Sequence, residues 1–135
     1  MTASVEYLGE LRTTAVHSLS GNKITTDAPP DNNGKGEAFS PTDLLATSLA
    51  SCILTTIGIV ARREGMTTIE GAKAEVLKVM YPDPRRVGEV HVKIIFPPGP
   101  FTERERRMYE NTAHACPVAR SLHPDLKQVL EFVWP

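Results

Sequence analysis

The sequence predicts an α+β fold, and three observations carry that prediction. Leu44 to Ala61 is almost free of charge and repeats apolar residues every three or four positions, the period of a buried helix. Short segments before and after it alternate apolar with polar residues, the period of strands. A second helix start stands near Phe101, and Gln128 to Trp134 reads as a closing strand.

Taken in order, Val5 to Leu11, Thr13 to Leu19 and Asn22 to Thr26 read as strands. Ser20-Gly21-Asn22 is a hairpin-type turn, because Gly and Asn tolerate positive φ. Residues 28–38 form a loop rich in Pro, Asn and Gly. Ser40-Pro41-Thr42-Asp43 then opens the long helix: a capping hydroxyl, a proline at the first helical position, and a carboxylate three residues after the cap. Leu44, Leu45, Ser48, Leu49, Cys52, Ile53, Thr56, Ile57 and Val60 follow at helical spacing. Arg62, Arg63 and Gly65 end the helix, as basic side chains and a glycine do at a C-terminus. A helix apolar nearly all round must be buried nearly all round, by a wrapping sheet or by a second subunit.

Two strands are predicted next. Ala72, Ala74 and Val76 alternate with Lys73 and Glu75, and Val90, Val92, Ile94 and Phe96 alternate with His91, Lys93 and Ile95. Pro82-Asp83-Pro84 and Gly88 mark the turn between them. Thr102 and Glu105 make a second capping box, and the helix they start is expected to carry Met108, Tyr109, Thr112 and Ala115 inward. Pro117 breaks or restarts it directly after Cys116.

At 135 residues the chain is read as one domain, residues 1–135, able to build a core without staples. Lys and Arg number 15 against 16 Asp and Glu, so the net charge is -1 and no charge block favours a nucleic-acid or membrane partner. No signal peptide is visible at the N-terminus. Leu44 to Ala61 is interrupted by hydroxyl residues and lacks the about 18 unbroken apolar residues of a membrane span. The expected location is cytoplasmic, where a working cysteine pair is catalytic or metal-binding more often than structural.

The chain has two cysteines, Cys52 and Cys116. Only the thiolate reacts, and an ordinary thiol with a pKa of about 8.5 is mostly protonated at neutral pH. Cys52 lies about three turns inside its helix, too deep for the helix dipole to help it. Burial would raise its pKa, so as a nucleophile it needs a nearby cation. Cys116, beside the helix start at Pro117, is the better-placed thiolate. Each cysteine alone reads first as apolar filler, and it is the pair, with small residues beside each, that brings in a functional reading. Metal binding is the rival reading, with His114, Cys116 and Cys52 as ligands, but residues two apart on a helix point in nearly opposite directions. No metal and no cofactor is expected. His17, His91 and His123 are read as surface or capping residues.

Phe39 to Cys52 and the segment Ala115-Cys116-Pro117-Val118-Ala119-Arg120-Ser121-Leu122 resemble the two cysteine signatures of the osmotically inducible protein C family, which includes the organic hydroperoxide resistance proteins. The order of elements is similar over essentially the whole chain. The resemblance implies an intertwined homodimer, with antiparallel sheets wrapped around long central helices, one from each subunit. It implies a thiol peroxidase of organic hydroperoxides. Cys52 would attack the peroxide and become a sulfenic acid, and Cys116 would condense with it to a disulfide. An external dithiol, a small molecule or a lipoyl-type protein, would reduce that disulfide.

The attack needs a positive charge. In the hydroperoxide-resistance branch it comes from an arginine after a glycine-containing turn, and Gly9-Glu10-Leu11-Arg12 fits that place, which makes Arg12 the candidate. That branch has a glutamate after the proline to clamp its arginine. Here that position is Thr42, and the acid falls at Asp43, which the capping box already uses. The chain thus looks like a less-characterised branch. The alternatives are a non-catalytic binder of a small hydrophobic ligand at the dimer interface, or a redox-sensing protein.

Overall fold

The computed structural model describes all residues, 1–135. They form two compact units, residues 1–45 and 46–135.

The first unit is a three-stranded antiparallel sheet of β1 (Ala3–Gly9), β2 (Arg12–His17) and β3 (Lys23–Asp27), in that spatial order. The β2–β3 hairpin turns where expected: Gly21, at φ 76°, donates its N–H to the His17 carbonyl, and the His17 N–H donates to the Asn22 carbonyl. The β1–β2 turn departs from the sequence reading, which ran the first strand through Leu11. Glu10 and Leu11 both have positive φ, 52° and 63°, so β1 ends at Gly9 and Arg12 begins β2. Left-handed backbone costs a non-glycine residue roughly 1–2 kcal/mol, and neither residue type signals such a turn. The loop at 28–38 offsets that cost: the Ala28 N–H donates to the Leu11 carbonyl, and Lys35 pairs with Glu10 at 2.6 Å. Within the loop, Pro30–Asn32 form one 3₁₀ turn.

Helix α1 (Pro41–Glu64) starts in the first unit and runs into the second. The Ser40 hydroxyl accepts from the Asp43 N–H at 3.0 Å, and the Asp43 carboxylate accepts from the Ser40 N–H at 2.9 Å, the predicted capping box. Gly65, at φ 61°, ends the helix in a conformation that a side chain would strain. By length and composition α1 could cross a membrane. Seven of its residues are instead buried, and all seven belong to the hydrophobic core of the second unit.

That unit contains β4 (Lys73–Tyr81), β5 (Arg86–Ile95), α2 (Glu103–His114), α3 (Pro117–Ser121) and β6 (Lys127–Val133). Its sheet has the order β4-β5-β6, with β5 antiparallel to β4 and parallel to β6. The alternation read from sequence holds on β5, where Val90, Val92 and Ile94 are buried, with Phe96 buried just past the strand. They cluster with Leu49, Ile53 and Ile57 of α1 and with Phe101, Tyr109 and Ala113. Full burial of each large aliphatic contributes about 1.5–3 kcal/mol. Phe96 also stacks on Trp134 at 3.6 Å between ring centroids.

Three expectations change in this unit. Gly88 lies inside β5, not in the turn, because a Cβ there would overlap the Tyr81 ring across the strand pair. Ala113 is the buried alanine of α2, whereas Ala115 is its exposed C-cap. The Thr102–Glu105 capping box forms, but only Tyr109 and Ala113 of α2 are fully buried. Burial of α1 is also less complete than its composition suggests: Ser48, Ser51, Thr55 and Ile59 form an exposed stripe, with Ile59 56% exposed.

Candidate functional site

Both cysteines are free thiols. Cys52 sits mid-helix on α1 and is half-buried; Cys116 is the N-cap of α3 and fully buried. Pro117 occupies the first position of α3, where a missing N–H is no loss. That break in the chain turns two amides towards sulfur. The Ala119 N–H donates to Cys116 Sγ at 3.4 Å, and the Val118 N–H donates to Cys52 Sγ at 3.5 Å. The two thiols lie near enough for each to shift the ionisation of the other.

Thr56 completes the surroundings of Cys52. Its Oγ1 lies 3.8 Å from Cys52 Sγ and donates to the Cys52 carbonyl at 2.7 Å. Burial works to raise the Cys52 pKa, but the Val118 amide, the Cys116 thiol and Thr56 outweigh it, so the net shift is downward. For Cys116 burial prevails: its pKa rises, with the Ala119 amide opposing and the neighbouring Cys52 adding to the rise.

This order reverses the sequence expectation, which gave the easier ionisation to Cys116. Position along α1 is indeed unhelpful to Cys52, but an amide sixty-six residues away reaches it. A sulfur that accepts a backbone N–H, with a hydroxyl oxygen and a second thiol close by, is stabilised as an anion without a full positive charge beside it. The chemistry available is nucleophilic attack by Cys52, with a second thiol at the N-cap of the helix whose Val118 amide reaches Cys52, available to close a disulfide.

Arg12 belongs to the first unit. Its Nε donates to Asp27 Oδ1 at 2.7 Å and its Nη2 to Asp27 Oδ2 at 2.8 Å and to Glu37 Oε2 at 3.0 Å. Asp27 is 1% exposed and also accepts from the Glu37 N–H. The guanidinium holds the Asp27 carboxyl below the usual range, against its desolvation, and the two acids hold Arg12 firmly charged. The clamp on Arg12 is therefore Asp27 with Glu37, two residues the sequence reading did not single out, while Asp43 forms the cap of α1. The signal was a count: from the turn at 18–22, the β2–β3 register pairs Arg12 with Asp27.

The histidines lie elsewhere. His114 is exposed with its ring edge-on to Phe132 at 5.9 Å, His17 bonds Ser20, and His123 accepts from the Asp125 N–H. His91 bonds Glu89, which also accepts from the Tyr81 hydroxyl.

A family model described as OsmC-like protein matches residues 34–131. A crystal structure of a protein from Psychrobacter arcticus 273-4, provisionally described as an osmotic-stress-induced and detoxification-response protein, is 56% identical. Its TM-score is 0.92, and the match covers 98% of this chain and 95% of that one. An organic hydroperoxide resistance protein OsmC from Legionella pneumophila shares the fold at 18% identity and a TM-score of 0.76, covering 99% and 98%. The organic hydroperoxide resistance protein OhrB of Bacillus subtilis does so at 18% identity and 0.68, covering 98% of each chain. No curated protein sequence matches the chain.

Proposed function

The chain belongs to the OsmC-like protein family, and from that premise we propose that it is a thiol-dependent peroxidase that reduces organic hydroperoxides through Cys52 and Cys116. The observation that carries this reading is that one short helix serves both free thiols, with Cys116 as its N-cap and its Val118 amide donating to the more acidic Cys52. The names of the Legionella and Bacillus proteins, which share the fold, agree with it.

The Cys52 thiolate attacks the distal peroxide oxygen. An S–O bond forms, the O–O bond breaks, and the alkoxide leaves and takes a proton from water. Cys116 then attacks the sulfenic sulfur; its thiol proton leaves with the hydroxyl as water, and a Cys52–Cys116 disulfide remains. An external dithiol, a small molecule or a lipoyl-type protein, reduces it by exchange. The thiolate charge on Cys52 suppresses ionisation of Cys116 while the pair is reduced. Oxidation of Cys52 removes that charge, so Cys116 becomes easier to ionise at the step that uses it.

Arg12 is the proposed peroxide-polarising cation, permanently charged and fixed in orientation by Asp27 and Glu37. A homodimer is part of the same reading. Its support is apolar surface left bare: Ile59 in the exposed stripe of α1, and Val5, Tyr7 and Ile24 on the N-terminal sheet.

Consumption of cumene hydroperoxide with dithiothreitol as reductant tests the activity. Cys52→Ser is expected to lose turnover, and unchanged turnover sinks the proposal. An unchanged free-thiol titre after one equivalent of peroxide would favour the non-catalytic binder. Slow disulfide formation without turnover would favour a redox sensor.

A further inference from the structure

Thr56 lies one helical turn beyond Cys52, so its hydroxyl shares a face of α1 with the sulfur. Its Oγ1 stands within reach of two acceptors on that one residue, the carbonyl at 2.7 Å and Sγ at 3.8 Å. A hydroxyl has a single hydrogen, so it serves only one of them at a time. The carbonyl does not depend on it, because it also accepts the backbone N–H of α1 one turn on. The sulfur has one other hydrogen-bond donor, the Val118 amide at 3.5 Å.

We propose that Thr56 is a thiolate-stabilising residue, whose hydroxyl turns from the Cys52 carbonyl to the Cys52 sulfur when that sulfur ionises. In the thiol state the hydrogen rests on the carbonyl, and an oxygen lone pair is free to accept the Cys52 S–H. In the thiolate state the hydrogen points at sulfur and adds a second donor to the Val118 amide. The rotation gives up a second bond to a carbonyl that keeps its first, and gains a hydrogen bond to an anion, the stronger kind. No electron or proton leaves the site by this route; only the direction of one O–H changes. Once Cys52 carries oxygen as a sulfenic acid its charge is gone, and the hydroxyl returns to the carbonyl.

Hydroxyl-to-carbonyl bonds one turn back are common in helices and by themselves mean only local packing. Here the same oxygen also touches the reacting atom. This inference rests on the reading that Cys52 is the attacking thiol, but its test does not require peroxidase activity.

The measurement is the rate of iodoacetamide alkylation at Cys52 from pH 5 to 10, with the modified residue identified by peptide mapping. Three proteins are compared: wild type, Thr56→Val and Thr56→Ser. Valine keeps the shape and removes the hydroxyl, whereas serine restores the hydroxyl without the methyl. Thr56→Val is expected to move the pH midpoint upward and to slow alkylation about tenfold at pH 6, the loss of one charge-assisted hydrogen bond. At pH 10 its rate should match wild type, and Thr56→Ser should follow the wild-type profile throughout. A Thr56→Val profile that overlays wild type overturns the proposal, and so does a Thr56→Ser profile as shifted as the valine one. Thr56→Ala gives a second hydroxyl-free protein with the same criteria should the valine variant fold poorly. If these shifts occur without peroxide turnover, Thr56 keeps its role and the peroxidase reading falls.

Discussion

The Val118 N–H donates to the sulfur of Cys52 at 3.5 Å, tying the first turn of α3 to the middle of α1. Cys116, at the N-cap of the same short helix, takes the next amide, from Ala119. One turn of backbone thus serves two sulfurs, and they differ because the surrounding donors outweigh burial at Cys52 whereas burial prevails at Cys116. Cys52 is half-buried and shifted down, whereas Cys116 is fully buried and shifted up.

Labelling should therefore be selective. Thiolate is favoured on Cys52, so its alkylation rate should rise with pH through a midpoint below that of an ordinary thiol. Cys116 should stay largely unmodified at pH 7 and react only at higher pH. Peptide mapping after limited iodoacetamide treatment checks this. Modification of Cys116 first would reverse the proposed roles.

Replacing the second thiol separates the two chemical steps. Cys116→Ser should still consume one equivalent of cumene hydroperoxide and leave a sulfenic acid on Cys52 that dimedone traps. No intramolecular disulfide can form, so the dithiol must reduce the sulfenic acid directly. Intact-mass spectrometry before and after peroxide gives the readout. A variant that neither traps dimedone nor consumes peroxide would mean that Cys116 is needed before the attack, not after it.

These two predictions divide what was legible in the sequence from what was not. Ser40 and Asp43 stand three residues apart, as do Thr102 and Glu105, and both capping boxes formed as read. Capping is local, and a local pattern contains all the information it needs. The alternation on β5 was legible for the same reason. The ionisation order of Cys52 and Cys116 was not, because Val118 reaches Cys52 only after α1 and α3 pack. Asp27 escaped because its meaning depends on strand register, which brings it opposite Arg12. The turn at Glu10-Leu11 uses residues that turns rarely choose, and what compensates it comes from the loop at 28–38.

The Arg12–Asp27 pair should appear in the acid limb of stability. Asp27 is held below its usual range in the folded chain, so the folded state releases this proton more readily than the unfolded one. The stabilisation is complete above the ordinary aspartate value of about 3.9 and is lost as pH falls through the lower folded value. Asp27→Asn should accordingly be less stable than wild type at pH 7, with the gap narrowing in acid. Thermal unfolding midpoints from pH 2 to 7 measure it. Curves that run parallel over that range would show that the pair contributes nothing specific.

Gly88 offers a test of packing that is independent of the thiols. It is buried in β5, and a Cβ at that position would overlap the ring of Tyr81 on β4. The ring cannot easily yield, since its hydroxyl donates to Glu89 at 2.7 Å and Arg86 lies over its face at 5.5 Å. Gly88→Ala should thus destabilise the fold by about 1–3 kcal/mol, the usual cost of overpacking. Tyr81→Leu removes the obstructing ring at its own cost in lost contacts. If the clash is the cause, the double variant should be more stable than the sum of the two losses predicts, with a coupling of about 1 kcal/mol or more. Urea unfolding of the four proteins gives that coupling directly. Additive losses would place the need for glycine in the backbone, because alanine would then be penalised whether or not the ring is present.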